Sequence, residues 1–97
     1  MSNDIKNGPR FPMGRPAITP AAEAALNAVG IHPIRLLARH IHGDWGDLSV
    51  EDLAANELAL RTGRRLLSSY TLPGVGNVWI ITEADRSATT ILLPDDY

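Results

Sequence analysis

The 97-residue sequence contains no cysteine. That excludes a disulfide framework, a thiolate metal site and a cysteine nucleophile, and it leaves burial as the source of stability. Lys6 is the single lysine among nine basic residues. Arginine's planar fork suits bidentate pairing with carboxylate or phosphate, so the bias toward arginine points to defined partners for several of these side chains. No apolar run approaches the roughly 20 residues needed to span a bilayer, and Met1 to Met13 lack the apolar segment of a signal peptide. The chain therefore reads as cytoplasmic, without membrane contact. A phosphate-cradling glycine loop, a nucleophile elbow and a paired-histidine helix motif are all missing. A catalytic fold of several layers is not expected at this length, because so small a domain buries only about 60% of its unfolded surface.

What is present is the composition of a globular domain: 44% hydrophobic and 21% charged residues, with mean hydropathy −0.06. Charge is unevenly placed. Residues 1–17 carry Lys6, Arg10 and Arg15 against Asp4, whereas residues 18–97 carry six arginines against ten carboxylates. An acidic body, with pI near 5.8, argues against a broad nucleic-acid surface, since that affinity comes from neutralised phosphates.

Residues 1–17 contain Gly8, Pro9, Pro12, Gly14 and Pro16 with little bulk to bury, and they read as a flexible N-terminal arm. The alternative is that Phe11 and Pro12 dock on the body or on a partner. Three helices follow. Thr19 with Pro20 opens the first, whose stripe is Ala22, Ala25, Leu26 and Val29 and whose stop is Gly30. Pro33 opens the second, with Ile34, Leu37, Ala38 and Ile41 at helical spacing before Gly43. Ser49 caps the third, with Asp52 at the capping-box position, Leu48 placed to staple on Leu53, and Gly63 at the end. The period then changes to two. Leu66–Leu72, Val78–Thr82 and Thr89–Leu93 read as strands joined by short turns, and short turns require antiparallel neighbours. The expectation is an α+β fold: three N-terminal helices packed on a C-terminal three-stranded antiparallel β-meander, forming one compact domain over residues 18–97.

Polar residues concentrate in His40-Ile41-His42-Gly43-Asp44-Trp45-Gly46-Asp47. Two imidazoles and two carboxylates could ligate a metal, but His40 and His42 lie about 200° apart on an ideal helix and no second ligand pair follows. No metal and no cofactor are expected. Arg35, Arg39 and His42 share one face of the second helix, and like charges at that spacing need compensation. Asp44, Asp47 or Glu23 could supply it, or a phosphate or a partner's carboxylates could. Trp45, between glycines, reads either as an anchor on a partner surface or as a plug over the gap between helices two and three. Trp79 reads as core. Asn56 interrupts the stripe of helix three and must find partners, with the preceding loop nearest and a substrate contact the other reading.

A second constellation is His40, Arg65, Ser68, Tyr70 and Thr89, with Thr82 and Thr90 clustered beside Thr89 at the last turn. It could serve a metal-independent endoribonuclease, with histidine as general base and arginine stabilising the phosphorane charge. Cross-strand pairing of hydroxyls on a solvated sheet face accounts for the same residues.

The run from His40 to Leu48, with Ser68-Ser69-Tyr70 and the stretch from Trp79 to Pro94, resembles the small plasmid-related proteins of bacterial mobile elements, some of which are linked by label to type I restriction subunits. The resemblance covers roughly Thr19 to Tyr97, with Ala21 where that family usually has glycine. It implies a bacterial, mobile-element setting and leaves the activity open; nothing in the chain suits S-adenosylmethionine or methyltransferase-type DNA reading. The leading expectation is a small non-enzymatic accessory protein that binds another protein through Arg35, Arg39, His42, Asp44 and Trp45. The alternatives are an endoribonuclease of barnase, EndoU or RelE-like fold, and a regulator that contacts DNA through the arginine stripe.

Overall fold

The structure, a computed structural model, describes residues 8–97. Strand β1 (Arg15–Ile18) is followed by helices α1 (Pro20–Ala28), α2 (Pro33–Ile41) and α3 (Val50–Thr62). Strands β2 (Leu66–Leu72), β3 (Gly76–Thr82) and β4 (Ala88–Leu92) and a short 3-10 turn at Pro94–Asp96 complete the chain. The class is α+β. The sheet, however, has four strands in the order β1-β4-β3-β2, and β1 runs parallel to β4. The three-stranded meander is therefore corrected to a mixed sheet: β2, β3 and β4 are antiparallel as expected, and a strand from the N-terminal segment is added at the edge.

That strand also corrects the arm for residues 8–17. Phe11 is buried at 7% exposure, and the Arg10 N–H donates to the Ile41 carbonyl at 2.7 Å. Arg10 itself grips Glu57 with two nitrogens at 2.9 and 2.8 Å. The segment is held by a sheet partner, one aromatic ring and an ion pair. Its few apolar residues suffice because the body supplies the rest. Residues 1–7 of the expected arm lie outside the described residues.

Helix ends follow the local chemistry. Thr19, His32 and Ser49 each accept a first-turn N–H with a side-chain atom, and Gly63 ends α3 in the left-handed conformation. Leu48 and Leu53 both pack into the cluster of Phe11, Trp45, Ala59 and Leu66. Arg86, at φ 62°, binds the carbonyls of Ala59 at 3.1 Å and Arg64 at 2.7 Å, placing a cation on the negative end of α3.

All three helices cover one face of the sheet. On that face lie Leu66, Ser68 and Tyr70 of β2, Val78, Ile80 and Thr82 of β3, and Thr89 and Ile91 of β4, all buried. Ala22, Leu26 and Leu36 close the larger core over them. The other face carries Leu67, Trp79, Ile81, Thr90 and Leu92. Trp79, expected in the core, is only half-buried there, with the Tyr97 ring edge-on at 5.9 Å.

Each outer edge is blunted. At β2 the outward residues are Leu67, Ser69 and Thr71, which alternate with those paired to β3. Asn56 bonds the Leu67 N–H and C=O; Trp45 and Asp47 bond those of Ser69; the Asp47 carboxylate accepts from Thr71 N–H. At β1 the inward donors are Arg15 and Thr19, to Ser87 and Ile91, which leaves Pro16 facing outward where it has no N–H to present.

Candidate partner-binding site

Helix α2 is amphipathic, and its orientation is fixed by Leu36 and His40, which are buried one turn apart. Arg35 and Arg39 consequently stand on the flank that faces the end of β2. With Ile31, Leu36 and Leu72 they line a groove of about 400 Å³. Its floor is apolar and its rim carries two guanidinium groups.

The two arginines differ. Arg39 lies over the Tyr70 ring, 4.4 Å from its centroid, and donates from Nε and Nη2 to the Asp44 carboxylate at 2.7 and 3.2 Å. That guanidinium holds the Asp44 carboxyl below its usual range. Tyr70 is in turn tied down, donating its hydroxyl to the Asp44 carbonyl at 2.7 Å, and burial pushes its phenol up to about 12. Of the carboxylates the sequence offered as compensation, Asp44 is the one that pairs with Arg39. The Arg35 guanidinium has no hydrogen-bonding or ionic partner among the described residues, although its backbone N–H donates to the His32 carbonyl at 3.0 Å. His42, the third member of the stripe, caps α2 by donating Nδ1–H to the Ala38 carbonyl at 2.6 Å.

Trp45 takes the plug position rather than a surface one. It is 3% exposed, stacked near Phe11 with ring centroids 6.1 Å apart, and donates Nε1–H to Glu57 at 2.9 Å. The expectation of a surface anchor at Trp45 is corrected accordingly: an indole sealed in the core cannot meet a partner. The glycine beside it allows the geometry. Gly46 sits at φ 78°, and a Cβ there would collide with the Ser69 carbonyl oxygen. Asn56, expected to bond the preceding loop, bonds the following strand instead.

The second constellation is only partly assembled. His40 is fully buried, with Nδ1 2.5 Å from Ser68 Oγ and Nε2 2.8 Å from Thr82 Oγ1. Thr82 Oγ1 is 2.7 Å from Thr89 Oγ1, which donates to the Met13 carbonyl at 2.7 Å. The proton order follows from that last bond. Thr89 spends its one hydrogen on Met13 and must accept from Thr82, which must then accept from His40 Nε2–H, so Nδ1 accepts from Ser68. Burial pushes the imidazole down to about 4, so it is neutral near pH 7. Phe11 and Trp45 pack edge-on against it at 5.3 and 5.6 Å.

Ser68, Thr82 and Thr89 share the imidazole's zero exposure. The hydroxyl cluster therefore lies under the helices, not on a solvated face. Arg65 is elsewhere: its Nη1 donates to the Tyr97 hydroxyl at 2.6 Å on the helix-free side of the sheet. Tyr70 is engaged with Asp44 and Arg39. A general base, an acid and a charge-stabilising group do not converge on one accessible point.

Of the threonines grouped beside the last turn, Thr82 and Thr89 join this buried chain, whereas Thr90 lies on the other face of the sheet, opposite Ile81. Among the described residues no three His, Asp or Glu side chains gather as a ligand set. No helix among them is long and apolar enough to cross a membrane. Comparisons with protein-family models, with curated proteins and with solved structures find no match for this chain.

Proposed function

We propose that the chain is a small non-enzymatic accessory protein of a plasmid or other mobile element, and that it acts by binding another protein through the α2 flank. The observation that carries this reading is a contrast of placement. The groups that could move protons, His40 and Ser68, are sealed at zero exposure, whereas the Arg35 guanidinium stands at the rim of an apolar groove without an ionic partner among the described residues. Arginine beside apolar surface is the composition of an interface anchor. The mobile-element setting rests on the resemblance of the His40–Leu48 and Trp79–Pro94 runs.

The test is cross-linking of the tagged chain in a plasmid-bearing bacterium, with wild type compared to the Arg35→Glu, Arg39→Glu double variant. A defined protein held by wild type and lost by the variant supports the reading. Growth arrest with cleaved total RNA, on expression in a plasmid-free bacterium, overturns it.

A further inference from the structure

We infer that the groove between α2 and the end of β2 is a docking site for an acidic–apolar peptide segment of the partner protein, one carboxylate beside one large aliphatic side chain. The inference rests on the protein-binding reading above and names the chemistry of the partner. Four observations carry it.

The floor, Ile31, Leu36 and Leu72, presents carbon to the solvent and has the size of a ligand pocket at about 400 Å³. Arg35 brings a cation to the rim with nothing opposite it among the described residues. Arg39 is already immobilised by Tyr70 and Asp44, and both of its bonds to Asp44 use Nε and Nη2, so Nη1 has no acceptor among those residues. A guanidinium fixed before binding loses little rotamer freedom when a ligand arrives. Lastly, the carboxylates that act on Arg39, Asp44 in an ion pair and Asp47 at longer range, make no ion pair with Arg35, so the lining of the groove carries one guanidinium without an ionic partner among the described residues. One carboxylate is the ligand that balances it.

A nucleic acid fits less well. Its backbone would bring several phosphates to one uncompensated cation, and its sugars would meet an aliphatic floor. A carboxylate on Arg35 and the open edge of Arg39, with a Leu, Ile or Met side chain one or two residues away on the floor, satisfies both halves of the groove.

The probe is a phage-displayed library of random dodecapeptides, panned on the immobilised full chain and counter-selected on its Arg35→Glu variant. Selected peptides are then synthesised and titrated by calorimetry. The expected result is enrichment of Asp or Glu within two positions of Leu, Ile or Met. Affinity should fall at least tenfold in Arg35→Glu, weaken with added salt and stay unchanged in Arg64→Glu, which lies at the far end of α3. Enriched peptides without an acidic residue, or peptides that bind Arg35→Glu equally, would locate binding elsewhere and overturn the groove assignment while sparing the binding function. A library that yields no binder at all overturns the assignment too, and the cross-linking result then decides the function separately. A second copy of the chain as occupant would appear as a concentration-dependent dimer in sedimentation, abolished by Arg35→Glu, and would likewise overturn it.

Discussion

The side chain of Asn56 bonds the backbone of Leu67 twice, accepting from its N–H at 3.1 Å and donating to its C=O at 2.6 Å. One amide thus replaces one residue of an absent neighbouring strand. Together with Trp45 and Asp47 on Ser69, it turns the β2 edge from an open template into a closed one.

Asn56→Leu should therefore cost more than a surface change on α3. It orphans a donor and an acceptor beside a nearly buried position, each worth about 1–3 kcal/mol. Urea unfolding should show a loss of at least about 2 kcal/mol, and Asn56→Asp, which sets a carboxylate oxygen against the Leu67 carbonyl, should not restore it. A change within about 0.5 kcal/mol, the range of neutral surface sites, would contradict the edge-capping role.

Gly46→Ala should be among the most damaging single-methyl changes available. The residue lies at positive φ, and the new Cβ would press on the Ser69 carbonyl, so the loop must retreat from β2. The expected outcome is a lowered Tm together with fast amide exchange at Ser69 and Thr71. Gly30→Ala, also at positive φ but with open space around it, should lower Tm without that exchange signature.

Phe11→Ala should destabilise by about 3 kcal/mol, the usual cost of emptying a buried phenylalanine site. Here the ring contacts both His40 and Trp45. Deleting residues 1–13 should cost still more, because Thr89 also loses its acceptor at Met13 and Glu57 loses Arg10. An unchanged Tm after either change would show that this segment does not pack.

Stability should fall in mild acid. The unfolded imidazole titrates near 6.5 and the folded one near 4, so between those values the unfolded chain takes up a proton that the native state refuses. The contribution of neutral His40 is complete above the upper value and is lost as pH drops toward the lower, a change of about 3 kcal/mol for that shift. Glu57, held near 2 by Arg10 and then by Trp45 Nε1–H, extends the decline below its ordinary range near 4.5. Urea midpoints measured at a series of pH values across this window test the effect, and a flat profile contradicts it. In the native state, nitrogen NMR should find the His40 proton on Nε2.

The three helices and the antiparallel strands were legible because their signals are local: Thr19-Pro20, Pro33, Ser49 with Asp52, and the alternation of Leu66, Ser68 and Tyr70. For the arginine stripe the sequence left Asp44, Asp47, Glu23 or an outside anion open, and the turn after α2 brings Asp44 onto Arg39. Strand β1 was not legible. Four residues with a proline carry no periodicity, and the pairing of Arg15–Ile18 with Ala88–Ile91 is set by tertiary contacts. The histidine cluster misled in a different way. Residue type and spacing show that His40, Ser68 and Thr89 can meet, but only the packing of α2 on the sheet shows that they meet in the dark. Trp79 was misplaced because an apolar strand reads as buried on both faces, whereas here only one face is roofed.

The parallel contact of β1 with β4 has a consequence for biosynthesis. Thr89 and Met13, joined across it, are 76 residues apart in the chain. A nascent polypeptide that has not reached residue 88 has an unpartnered first strand, a β3 with one bare edge and a Met13 carbonyl without its hydroxyl. Closing so long a loop is repaid only once β4 exists, so the sheet cannot be completed before Ala88–Leu92 has been made. A chain truncated before Ala88 should consequently leave β1 and one edge of β3 exposed and be degraded rather than accumulate.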